Sequence, residues 1–152
     1  MDDRTREAAK GRLPDLRGTR THECLGRFFS NDARAAVLYA YFARIAEIEG
    51  FHEIAGTLHE LSEGTELFAE GHLDFLKKTG HPVTGRVLRG TADNLASLRD
   101  AARVEATEDL LDAARTAHAE GFPDIASWFE SVAVAKAAHA DRCEAVAKEL
   151  RD

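Results

Sequence analysis

Two stretches of this chain copy one another at a spacing of 71 residues. Ala43-Arg44, Ala46, Glu49-Gly50-Phe51 and Ile54-Ala55 recur as Ala114-Arg115, Ala117, Glu120-Gly121-Phe122 and Ile125-Ala126. Such a repeat confines the chain to two halves of common design. Each copy passes from a segment rich in Ala, Glu and Arg through a Gly into a second such segment, the pattern of helix, tight reversal and helix. The three prolines, at 14, 82 and 123, fall between the long stretches, as helix interiors require.

Apolar spacing predicts four helices. Thr21 is the expected N-cap of the first, whose stripe of Leu25, Phe28, Ala35, Tyr39 and Phe42 advances in steps that sum to seven. The second stripe is Ile54, Leu58, Leu61, Thr65, Phe68, His72 and Phe75. Thr91 is the expected cap of a third helix through Leu95, Leu98, Ala102, Glu105 and Asp112, and Pro123 suits the first turn of a fourth through Ile125, Val132, Lys136, His139 and Val146. The expected spans are 21–49, 51–78, 91–119 and 122–150, after a charged leader at 1–20 and within one domain at 21–152. Tyr39, Phe42 and Trp128 read as core aromatics. His22, His52, His59, His81 and His118 read as solvated. Residues 77–90, broken by Gly80, Pro82, Gly85 and Gly90, can extend about 45 Å, against about 40 Å for a 27-residue helix. A connector of that reach predicts a long crossover between helices two and three. The fold expected is all-α: a ferritin-like four-helix bundle.

Charge and cysteine content remove several classes of function. With 20 basic against 27 acidic side chains the net charge is −7, so neither nucleic acid nor an anionic membrane surface is an expected partner. No apolar run approaches the roughly 18 residues that span a bilayer, and Met1-Asp2-Asp3-Arg4 does not open a signal peptide, so a cytoplasmic protein is expected. Cys24 and Cys143 are too few for a disulfide framework and form no CxxC pair. Any metal would have to use His and carboxylates.

The anomaly lies in polar residues at core spacing: Asp32, Thr65, His72, Glu105, Lys136 and His139. Such groups are seldom buried unless paired or liganded. Lys136 and His139 share a face of a helix, in a run from Val132 to His139 that is otherwise Ala and Val. Asp32, Glu105 and His139 form a minimal oxygen and nitrogen set for one iron, manganese or zinc ion, with His72 as a weaker fourth. Alternatively, Lys136 between the two acids supplies the positive charge itself, and no cofactor is needed. On that reading Lys136 is expected to be buried and charged, with Asp32 or Glu105 in hydrogen-bond reach, and these three are the candidate catalytic residues.

Leu16-Arg17-Gly18-Thr19-Arg20-Thr21, Tyr39-Ala40-Tyr41-Phe42-Ala43, the two Glu-Gly-Phe turns followed by Ile-Ala, and Thr91 with Asn94-Leu95 together resemble the rubrerythrin family over about residues 17–150. The resemblance implies two irons held by a Glu on helix one, a Glu-x-x-His on helix two, two Glu on helix three and a second Glu-x-x-His on helix four. Placed residue by residue, these ligands fall on Asp32, on Thr65 and Phe68, on Ala102 and Glu105, and on Lys136 and His139. Three acceptable ligands remain of seven. The resemblance therefore implies the fold and a helix-packed homodimer, and no rubredoxin-like cysteines are present as a built-in electron donor.

Three functions compete. The leading expectation is a degenerate di-iron site remodelled as a metal-free, lysine-centred pocket that binds or acts on a small molecule. The others are an oxidoreductase with one divalent metal and an external electron donor, and a structural or interaction protein whose polar core sets helix register.

Overall fold

The computed structural model describes residues 15–81, 85–86 and 88–150. Most of the expected leader (1–14), and residues 82–84 and 87 of the expected crossover, lie outside the described residues. The chain divides into two compact units, one ending at Leu88 and the other beginning at Arg89. The first is a hairpin of α1 (Arg20–Ile48) and α2 (His52–Leu76). In the second, α3 (Thr91–Val104) continues through a π-helical turn (Glu105–Asp109) into α4 (Leu110–Ala119), and this rod pairs with α5 (Pro123–Glu149). The described residues form no strand.

The repeat extends to individual hydrogen bonds. Gly50 has φ +87° and Gly121 φ +86°, the left-handed conformation that ends a helix with least strain when no Cβ is present. Gly50 N–H donates to Glu47 O at 3.1 Å and Phe51 N–H to Ala46 O at 2.8 Å. In the second hairpin Gly121 N–H donates to His118 O at 3.2 Å and Phe122 N–H to Ala117 O at 2.8 Å. Each Phe carbonyl then accepts the N–H of the following Ala, Ala55 or Ala126, and so opens the next helix. Just before each turn a His–Glu contact spans the hairpin with the partners exchanged: Glu47 with His59 at 3.4 Å, and His118 with Glu130 at 3.5 Å. His59 and His118 therefore have carboxylate partners where plain solvation was expected.

The seam of each hairpin is alanine. Ala36, Ala43 and Ala46 of α1 are buried with Ala55, Ala69 and Leu76 of α2, and Ala114 and Ala117 of α4 with Ala126, Ala133 and Ala140 of α5. Steps of seven separate Ala55 from Ser62, Ala69 and Leu76, and separate the three alanines of α5. Small residues at that spacing let two helices approach closely, and Ser62 Oγ donates across the first seam to Ala36 O at 2.8 Å. The large side chains expected in the core stand beside the seam instead: Phe42 is 48% exposed and Trp128 66%, while Tyr39 is half-buried.

Three local readings are corrected. Helix one is capped by Thr19 rather than Thr21, because Gly18 (φ +70°) turns the chain there; Thr19 Oγ1 accepts His22 N–H at 3.1 Å and donates to Leu16 O at 2.7 Å. His22 is buried, its Nε2 donating to Gly80 O at 2.7 Å, while Arg17 Nη2 donates to Lys78 O at 3.1 Å. Both tie the start of α1 to carbonyls at the end of α2. Thr91 begins α3 without capping it; the Asn94 side chain instead holds both backbone groups of Arg89.

Helix three was expected to be continuous, and the π turn has a simple origin. Buried Ala36 lies seven residues before buried Ala43, whereas buried Ala106 lies eight before buried Ala114. The second hairpin thus carries one extra residue, which the wider turn absorbs while both flanks keep the same face on α5.

Two predictions follow from this geometry. Gly50→Ala and Gly121→Ala should each destabilise the protein by about 1 kcal/mol through the left-handed backbone, and by similar amounts, as read from urea unfolding. Nothing lies within 4 Å of a Cβ at either position, so steric contact adds no further cost. Deleting Thr107, exposed in the π turn, should leave helical circular dichroism unchanged and yield an uninterrupted α-helix. Loss of folding in that variant would contradict the insertion.

Candidate functional site

In the second hairpin Lys136 lies between Ala133 and Ala140 on α5, three residues after one and four before the other, at the edge of the alanine seam. Glu105 opens the π turn on the facing rod, next to buried Ala106. Lys136 Nζ is 2.6 Å from Glu105 Oε2. The side chains remain 36% and 44% exposed, so the lysine is half-buried where full burial was expected. The cause is the smallness of the alanines: with the seam closed by methyl groups, longer side chains emerge at its edge. A charge-assisted contact at that exposure contributes about 0.2–1 kcal/mol, well short of a fully buried pair.

Other groups surround this pair. Arg103 Nη2, on α3, donates to Asp141 Oδ1 at 3.0 Å and Glu144 Oε2 at 3.5 Å on α5, so ionic contacts of both polarities link the two rods. The spacing analysis missed Arg103, which lies off the apolar stripe. His139, one turn beyond Lys136, is exposed and makes no hydrogen bond or ion pair among the described residues. Ala102 is half-buried and carries no donor atom.

Asp32, the other candidate acid, is engaged in the first hairpin. Its Oδ2 lies 3.1 Å from His72 Nε2 across α1 and α2, each side chain 27% exposed. The Phe28 ring is 6.0 Å from the imidazole, and the Arg27 guanidinium lies 5.1 Å over Phe28. Thr65 is buried on α2, and Phe68, one turn before His72, is exposed. Spacing placed Asp32 and His72 on core stripes but gave no reason to join them. Of the candidate residues, each hairpin therefore sets one carboxylate against a nitrogen on its facing helix: Asp32 with His72, and Glu105 with Lys136. Among the described residues no three His, Cys, Asp or Glu side chains gather as a metal-binding group, and both cysteines are free thiols.

Chemically, the Lys136–Glu105 pair offers two complementary functions. An ammonium has three N–H donors, of which one serves Glu105, and a carboxylate retains further acceptor capacity. The pair can thus meet a small molecule that carries both an acceptor and a donor.

No family model matches the chain. It is similar to rubrerythrin from Clostridium perfringens, at 30% identity over 151 residues, covering 92% of this chain and 76% of the relative. Rubrerythrin from Porphyromonas gingivalis is 29% identical over 141 residues, covering 90% and 70%. Rubrerythrin-1 from Clostridium acetobutylicum is 26% identical over 151 residues, covering 92% and 76%.

Lys136→Ala should lower stability by no more than about 1 kcal/mol, measured by urea unfolding at neutral pH. Glu105→Gln in that background should cost nothing further. A loss of several kcal/mol would mean that the pair is fully buried.

Proposed function

The chain belongs to the rubrerythrin family, with an all-α, ferritin-like fold, and we propose that its two-metal centre has given way to a lysine-centred polar pocket that binds or acts on a small molecule. The observation that carries this reading is the 2.6 Å contact between Lys136 Nζ and Glu105 Oε2. An ammonium on that carboxylate takes the place, and the charge, that a bound cation would have. The family's two irons do not fit the residues present. Phe68 and Ala102 have no donor atom, Thr65 offers only a neutral hydroxyl, and a protonated lysine has no lone pair. Within the pocket Lys136 donates to an oxygen of the ligand, Glu105 accepts from it, and His139 supplies an imidazole one turn away. Lys136 and Glu105 are the residues proposed to touch the ligand; Asp32 is held by His72 in the other hairpin.

A single divalent ion on Asp32, Glu105 and His139, serving an oxidoreductase, is the second reading. It is favoured by the imidazole of His139, which has no hydrogen bond or ion pair among the described residues. A homodimer is proposed as well, supported by the exposed large apolar side chains, among them Phe28, Phe42 and Phe68 in the first hairpin and Trp128 in the second. Light scattering that gave the monomer mass would exclude it. No described helix is long and apolar enough to cross a membrane.

Elemental analysis of protein purified without chelator and incubated anaerobically with ferrous iron tests the main reading. Retained metal should stay far below one equivalent. Close to one would select the single-ion alternative, and two would overturn the proposed pocket. The combined substitutions Thr65→Glu, Phe68→His, Ala102→Glu and Lys136→Glu should instead yield a di-iron protein with charge-transfer absorption. A folded variant that failed to bind iron would mean that the residue correspondence is wrong.

A further inference from the structure

The rod that faces α5 in the second hairpin is pinned unevenly. α4 buries Ala114 and Ala117 and the π turn buries Ala106, whereas α3 buries no side chain. Burial therefore fixes the rotation of the rod after Glu105 and leaves it unset before. Rotation matters at this point, because each residue of a helix turns about 100°, and a slip of one position would carry the Glu105 carboxylate off the Lys136 face. The turn that starts at Glu105 also takes up the extra residue of this hairpin, and nothing buried on α3 sets where it does so.

One side chain of α3 does reach α5. Arg103 Nη2 donates to Asp141 Oδ1 at 3.0 Å and to Glu144 Oε2 at 3.5 Å, the only ion pairs between these two helices among the described residues. Asp141 and Glu144 lie five and eight residues beyond Lys136, about 7.5 and 12 Å along the axis of α5. Arg103 thus grips α5 at two levels to one side of the Lys136 contact, from a position two residues before Glu105. Its carbonyl is engaged as well, accepting from Thr107 Oγ1 at 2.9 Å inside the π turn. Through its side chain and main chain this one residue joins α3, α5 and the π turn. We propose that Arg103 is a positioning residue for the Lys136–Glu105 site: by holding Asp141 and Glu144 it sets the rotation of α3 where the π turn begins, and so keeps the Glu105 carboxylate on Lys136. Its functional meaning rests on the reading of that pair as the ligand-binding group, but its test needs neither ligand nor metal, so the two fail separately.

Competitive labelling of the native protein with a trace of acetic anhydride, read lysine by lysine in a mass spectrometer with Lys77 as internal standard, tests the proposal. An Nζ held by Glu105 is shielded from acylation, so the rate at Lys136 reports the contact. Glu105→Gln should raise labelling of Lys136 about fivefold, the equivalent of an exposed ion pair, and Arg103→Gln about threefold. Arg103 is exposed, so both variants should keep the circular dichroism of the wild type. Arg103→Lys, which retains the cation, should label like the wild type. Added to Glu105→Gln, Arg103→Gln should produce no further rise, because the contact it positions is already gone. Unchanged labelling in Arg103→Gln, labelling of Arg103→Lys as fast as that of Arg103→Gln, or the same threefold rise in the Glu105→Gln background, the mark of general loosening, would each overturn the proposal.

Discussion

Close approach of two helices across alanine is the constraint on which the rest of this structure depends. Ala43 and Ala46 meet α2 as Ala114 and Ala117 meet α5, and in both hairpins the reversal is a left-handed glycine followed by Phe. With methyl groups filling the seam, no described side chain larger than Leu76 is fully buried. Longer side chains are displaced to the edges, where polar ones can find partners on the facing helix. Close packing of alanines therefore positions Lys136 on Glu105 and His72 on Asp32.

The same geometry gives the site its chemical character. A carboxylate that would serve a metal in the rubrerythrin pattern is met in each hairpin by a nitrogen from its own facing helix. On the proposed reading, Lys136 stands where that pattern has an acid, and a ligand position has become the cation that meets its neighbour Glu105. His72 stands where the pattern places no ligand, and engages Asp32 all the same. The π turn at Glu105 marks the point where the second hairpin departs from the first by one residue. It lets α3 and α4 both keep alanine against α5 while Glu105 remains beside Lys136.

The helix spans and the two reversals were legible because proline, glycine and the repeat are local signals, and the observed ends lie within two residues of those expected. The π turn was not, because every residue that defined the repeat in helix three lies beyond it on the C-terminal side. Phe42 and Trp128 were assigned to the core because apolar spacing weighs large side chains above alanine, whereas here the small residues form the seam. In the site, the contact of Lys136 with an acid followed from an ammonium on an Ala-rich helix. Its half-exposure depended on how closely the helices approach, and the Asp32–His72 contact on a pairing between helices that spacing does not specify.

The central claim is that Lys136 holds Glu105 in place of a metal. Crystals soaked anaerobically in ferrous salt, with anomalous diffraction recorded at the iron absorption edge, test it most directly. The account predicts Lys136 Nζ in contact with Glu105 and no iron peak at that carboxylate. Iron bonded to Glu105, with the lysine swung away, would contradict it.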